Sequence, residues 1–139
     1  MSRSILDTDT VTFQQAGREI LVRHLRSVSA ESVCTTVVTL YEQLRGRLAM
    51  INRVQTNSAL IQAYEQLQKT VKYFSFVNVL PFTSAAADQF EILKAKRVHI
   101  RTQDLRIASI VLSVDGILIT GNRRDFGKVP GLIIEDWSR

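Results

Sequence analysis

The stretch from Ile100 to Trp137, IRTQDLRIASIVLSVDGILITGNRRDFGKVPGLIIEDW, constrains the fold more than any other part of the chain. A polar turn leads into a segment from about Gln103 to Val114 that is apolar almost all round. Then come a β-branched run, Ile117–Thr120, and a second polar turn. A helix apolar on every side has to be buried between a sheet and other helices. A helix feeding straight into a short strand is half of a parallel βαβ unit. Asp104 falls in the first turn of that helix and Asp125 just past the strand. In a parallel sheet both positions lie on the rim where such sheets bind ligands.

The rest of the sequence repeats the alternation. Ser4–Asp7 reads as a short strand ending in an acid, and Thr10 or Thr12 to Arg26 as partly helical with an interruption at Gly17. Val33–Val38 (VCTTVV) predicts a buried strand, with Thr39 as the cap of the helix after it. Leu40, Leu44, Leu48 and Ile51 mark one face of that helix. Leu60, Tyr64, Leu67, Val71 and Phe74 mark one face of the next, so residues 39–74 predict a helical hairpin. Phe76–Leu80 predicts a third strand stopped by Pro81, and Thr83 or Ser84 caps a helix through Arg97. Gly116 is expected to close the buried helix, and Leu132–Ile134 to form the last strand. The predicted fold is a three-layer α/β/α sandwich around a mostly parallel, short-stranded sheet, one domain over residues 1–139.

Composition removes several classes of function. The single cysteine, Cys34, lies in an apolar run, which excludes an internal disulfide framework and favours a buried thiol in a reducing, cytoplasmic setting. His24 and His99 have no partners at zinc spacing. No apolar region follows Met1 to Ile5 as a secretory signal would require, and Ile107–Ile119 is too short and too interrupted to span a bilayer, so no membrane role is expected. A net charge of +5 suits an anionic partner.

Four acids occupy comparable places. Asp7 ends the first strand, Glu42 lies in the first turn after the second, and Asp104 and Asp125 bracket the fourth. Carboxylates gathered closely cannot all stay ionised without a cation. Oxygen donors with no His or Cys among them favour Mg²⁺ or Mn²⁺. Each acid also has a purely structural explanation. Thr39-Leu-Tyr-Glu42 fits a capping box, Asp104 a helix dipole, and Asp125 a turn residue paired with Arg123 or Arg124. Asp7 is hardest to explain away, because an acid directly after Ile-Leu at a strand end is partly desolvated.

ILDTDTV, VTLYEQLRG, QDLRIASIVL and ITGNRRDFGKVPGLIIEDW, taken in this order and spacing, resemble a PIN domain of the VapC toxin type across essentially the whole chain. The resemblance implies a Mg²⁺- or Mn²⁺-dependent endoribonuclease, usually dimeric and held inactive by a cognate antitoxin. It carries the metal-site acids onto Asp7, Glu42, Asp104 and Asp125, and supporting polar positions onto Thr8, Thr120 and Asn122. Two positions depart from the pattern: Asp9 stands where Asn is common, and Arg101 or Thr102 where a glycine often precedes the third acid. Arg101, Arg123 and Arg124 are the basic residues tied most closely to the site, and are expected to meet RNA phosphates. Tyr64, Tyr73, Phe74 and Phe76 are expected either in the core or on a dimer or antitoxin face.

Two other functions fit parts of the sequence. Asp7-Thr8-Asp9-Thr10-Val11 matches the D-x-D-x-[TV] nucleophile motif of haloacid-dehalogenase-type phosphatases, with Asp7 as nucleophile and Asp9 as acid/base. That reading leaves Glu42 and Asp104 without a role and finds no downstream metal-binding Gly-Asp-x-x-x-Asp. A catalytically idle PIN domain that only binds RNA or protein is the other alternative.

Overall fold

The computed structural model describes residues 2–139. Strand β1 (Ser4–Leu6) leads into α1 (Thr8–Gln15) and α2 (Glu19–Arg26). Strand β2 (Val33–Thr36) is followed by the long hairpin of α3 (Val37–Arg53) and α4 (Asn57–Phe76). Strand β3 (Asn78–Leu80) precedes α5 (Ser84–Ala95) and α6 (Thr102–Ser113). Strand β4 (Ile117–Ile119), the short α7 (Arg123–Phe126) and β5 (Ile133–Glu135) complete the order.

The strands form one sheet in the order β3-β2-β1-β4-β5, and every pairing is parallel. The chain first builds outward from β1 to β2 and β3, then crosses back to place β4 on the other side of β1. That reversal opens a crevice at the carboxyl ends of β1 and β4, where ligands settle in open α/β sheets.

Alternation along the strands explains the layers, since successive side chains leave a strand on opposite faces. Ile5, Cys34, Leu80 and Leu118 point into the core shared with α5 and α6. Leu6 and Ile119 point into the core shared with α1, α2, α4 and Trp137. The expected α/β/α sandwich is therefore present. Helix α6 is as buried as its composition requires, with Leu105, Ile107, Ala108, Ser109, Ile110 and Val111 all inside. Its one buried hydroxyl is satisfied within the helix, Ser109 donating to the Leu105 carbonyl at 2.7 Å.

Several boundaries differ from the sequence expectation. Strand β2 stops at Thr36, whose hydroxyl accepts from the Thr39 N–H at 3.2 Å and so caps α3. Val37 and Val38 are thereby drawn into the helix despite their β-branched side chains. Thr39 is not the cap, and Glu42 lies well inside α3, so the capping-box explanation of Glu42 falls. Helix α4 runs through Phe76, which is 82% exposed, and β3 begins only at Asn78. The inward face of α4 is Ala63, Thr70 and Phe74, while Tyr64 and Val71 are exposed. Leu48 of α3 is also exposed, contrary to its expected inward place. The small residues let α3 approach, and Arg47 donates to the Thr70 hydroxyl across that contact.

Helix α5 ends at Ala95, with Arg97 at φ +58°, and β5 starts one residue later than expected. Helix α6 is closed by Val114 and by Asp115 at φ +52°, a left-handed conformation that a short polar side chain tolerates. Gly116 serves a different need: a Cβ there would lie 2.6 Å from Cδ1 of Ile5, so the glycine lets β4 enter beside β1. Cys34 is buried and free, as expected. Among the described residues, no helix is long and apolar enough to cross a membrane.

Candidate active site

Asp7 follows the last residue of β1 and is the N-cap of α1. Its Oδ1 accepts from the Thr10 N–H at 2.8 Å, and its Oδ2 accepts from the Thr120 hydroxyl at 2.6 Å. The Thr120 oxygen in turn accepts from the Asn122 N–H at 3.0 Å. Only 4% of Asp7 is exposed. Burial raises its pKa above the ordinary carboxylate value, the hydrogen bonds from Thr10 and Thr120 oppose that rise, and Asp9 adds to it.

Glu42 is oriented by a file of hydroxyls. Thr8 donates to its Oε1 at 2.8 Å, and the Thr8 and Thr39 oxygens are 3.1 Å apart. The Thr36 hydroxyl lies 3.5 Å from that of Thr39. A consistent donor direction runs Thr36, Thr39, Thr8, Glu42, each hydroxyl giving one proton and receiving one. Thr36 and Thr39 were not singled out as site residues from the sequence. Both are fully buried, and what makes them site residues is the contact of Thr39 with Thr8, from a segment distant in the chain.

Asp104 sits in the first turn of α6, and Asp125 in the first turn of α7. Asn122 holds Asp125 from both ends: its amide donates to Oδ2 at 3.1 Å and its carbonyl accepts from the Asp125 N–H at 3.3 Å. The Lys128 ammonium stands 4.0 Å from Asp125 Oδ1. Asp125 thus belongs to a short helix not anticipated from the sequence, and is not paired with Arg123 or Arg124.

All four acids line one cavity of about 350 Å³ at the carboxyl edge of the sheet. Thr8, Asp9, Asn122 and Arg101 line it too. Thr120 contributes from beneath, through Asp7. Arg123 and Arg124 do not line it but project, exposed, from the helix that carries Asp125. Arg101 bridges two of the acids. Its Nη2 is 3.1 Å from Glu42 Oε2 and 3.1 Å from Asp104 Oδ1, with Nε 3.4 Å from Asp104 Oδ2. Those contacts raise the Arg101 pKa still further, the Asp104 hydrogen bond contributing most.

Hard oxygen donors of this kind fit Mg²⁺ or Mn²⁺ in type. A second sign of fit is that a cationic group, the Arg101 guanidinium, already lies between two of them. Among the described residues, no three His, Cys, Asp or Glu side chains stand together as a ready-made ligand group. The acids share a basin without yet closing on one point.

Taken together, the parallel sheet and its crossover make an α/β fold with an acid-lined edge, and comparison with known proteins shows what it resembles. No family model matches the chain. It is 28% identical over 142 residues to the tRNA(fMet)-specific endonuclease VapC of Shigella flexneri, covering 99% of this chain and 100% of that protein. It is 25% identical over 141 residues to the protein of the same name from Salmonella typhimurium, covering 99% of each. Among solved structures, the DNA-bound VapBC complex of Salmonella typhimurium superimposes with a TM-score of 0.80 at 25% identity over 99% of both chains. VapBC-1 of nontypeable Haemophilus influenzae matches with a TM-score of 0.77 at 20% identity over 98% of both. In sequence and in fold, then, the chain is similar to VapC proteins.

Proposed function

We propose that this chain is a Mg²⁺- or Mn²⁺-dependent endoribonuclease and the toxin of a toxin–antitoxin pair. Its substrate is RNA, its partners are a cognate antitoxin and a second copy of itself, and its setting is the cytoplasm. The observation that carries this reading is the cavity itself: Asp7, Glu42, Asp104 and Asp125, from four separate parts of the chain, line one basin. Full-length similarity to VapC endonucleases, and to chains solved as VapBC complexes, supports the same reading.

Asp7 and Asp104 would hold the cation, with Glu42 and Asp125 completing its shell or positioning ordered waters. When bound, such an ion lowers the pKa of a water and neutralises charge developing on the phosphate. The side chains themselves supply preorganisation. Thr10 and Thr120 fix both oxygens of Asp7 in one rotamer, Thr8 orients Glu42, and Asn122 orients Asp125. Arg101 at the wall and Arg123 and Arg124 beyond it add positive charge that draws a phosphate backbone towards the acids.

The phosphatase alternative is weakened by the company Asp7 keeps. Glu42, Asp104 and Asp125 line the same cavity, and a lone aspartyl nucleophile with Asp9 as acid/base leaves Glu42 and Asp104 without a role. The test is cleavage of RNA by purified, antitoxin-free protein with Mg²⁺ or Mn²⁺ and with EDTA. Metal-dependent cuts that vanish in Asp7→Asn are expected. RNA binding without cleavage would make the chain an idle module, and turnover of small phosphomonoesters alone would restore the phosphatase.

A further inference from the structure

Arg101 stands at the N-terminal end of α6 with 62% of its side chain exposed, yet its head group meets two acids that are largely shielded: Glu42 is 16% and Asp104 14% exposed. The guanidinium is their chief contact with positive charge. Asp104 takes two contacts from it, at 3.1 and 3.4 Å, while Glu42 Oε2 takes one and leaves Oε1 to Thr8. Asp7 and Asp125 are held instead by neutral hydroxyl, amide and backbone donors, the Lys128 ammonium standing off at 4.0 Å from Asp125. A divalent cation held by Glu42 and Asp104 would draw on the carboxylate oxygens at the point where Arg101 now meets them. A guanidinium and a divalent ion cannot both occupy that point, since like charges at contact distance repel strongly where water is scarce.

We infer that Arg101 is a built-in competitor of the metal: its guanidinium holds Glu42 and Asp104 apart and in register until a cation displaces it towards solvent. This inference rests on the metal-nuclease reading proposed above. The exposed side chain gives the head group room to leave, and among the described residues its hydrogen bonds go to these two acids alone. Displacement carries a free-energy cost that appears as weaker metal binding, because the affinity of an incoming ligand is reduced by the contact it must break. The same movement would carry the guanidinium to the mouth of the cavity, where a phosphate could take the place of the two acids.

The test is direct Mn²⁺ binding to the full-length, antitoxin-free protein by calorimetry, without RNA. Arg101→Gln keeps much of the length and removes the charge, and is expected to tighten Mn²⁺ binding about tenfold. Arg124→Gln removes the same charge from the exposed α7 helix and should change it by less than about threefold. Arg101→Lys, which keeps the charge but not the two-pronged contact, should fall between wild type and Arg101→Gln. In thermal melts, added Mn²⁺ should stabilise Arg101→Gln more than wild type, a readout that survives even if the metal-free variant is poorly folded. Equal or weaker Mn²⁺ binding in Arg101→Gln, or equal tightening in Arg124→Gln, would overturn the inference and leave the nuclease reading standing. No Mn²⁺ binding by wild type or by either Arg101 variant would overturn both.

Discussion

The two sides of the acid basin are built on different principles. On the Asp7 side, a nearly inaccessible carboxylate is locked by a backbone N–H and a threonine hydroxyl, and that hydroxyl is itself fixed by the Asn122 N–H. On the Glu42–Asp104 side, two carboxylates share one exposed guanidinium. Neutral donors orient an acid without occupying the place of a cation. A cationic donor orients it and stands in the cation's way. The first side is therefore rigid and ready, and the second is closed by a movable charge.

The sharpest way to break the comparison is at Asp7. Asp7→Asn keeps an oxygen for the Thr10 cap but removes the anionic ligand, so RNA cleavage should fall by at least about a thousandfold. Thr120→Val should come next. It leaves Asp7 Oδ2 buried without its partner, at a cost of about 1–3 kcal/mol in stability, and should lower cleavage by about ten- to a hundredfold. Denaturant unfolding together with RNA cleavage assays would measure both. If Thr120→Val loses neither stability nor activity, the rigid side is not rigid in the sense described.

A smaller effect concerns pH. The Asp7 pKa is raised in the folded protein, chiefly by burial, so the folded state holds this proton more tightly than the unfolded chain does. The metal-free fold is then penalised above the unfolded carboxylate range, and the penalty is relieved as pH falls towards and through that range. Asp7→Asn lacks the penalty. The difference in melting temperature, variant minus wild type, should be more positive near neutrality than under acid conditions. A difference constant with pH would contradict a buried charge at Asp7.

The smallest expected change lies outside the basin. Arg123→Gln and Arg124→Gln should each reduce the slope of log RNA affinity against log salt by up to about one, with little effect on metal binding. Unchanged slopes in both would exclude α7 from the RNA path.

Much of the architecture could be read from the chain because its signals are local and redundant. The all-round apolar α6, the β-branched strand runs and the turn residues between them agree on a parallel sandwich, and the acids at strand ends and first helical turns follow from that topology. What stayed hidden depended on competition between neighbours. VCTTVV looks like a strand through Val38, but the Thr36 hydroxyl turns the chain into a helix three residues before the expected cap at Thr39. That shift moves Glu42 from a capping position to the cavity wall. The large side chains of α4 suggested an inward stripe through Tyr64 and Val71, but the close approach of α3 selects Ala63 and Thr70 instead. Neither the Thr36–Thr39–Thr8 file nor the Arg101 bridge could be seen from the sequence, since each joins segments distant in the chain.

The hydrogen bond between Asp7 and Thr120 spans 113 positions, and β1 pairs with β4 across a similar separation. Strand β1 therefore gains its second neighbour only by closing the longest loop in the sheet. Until β4 docks, one flank of β1 lies open and the carboxylate beside it lacks its hydroxyl partner. Completion of the basin is thereby tied to the slowest kind of contact a chain can make.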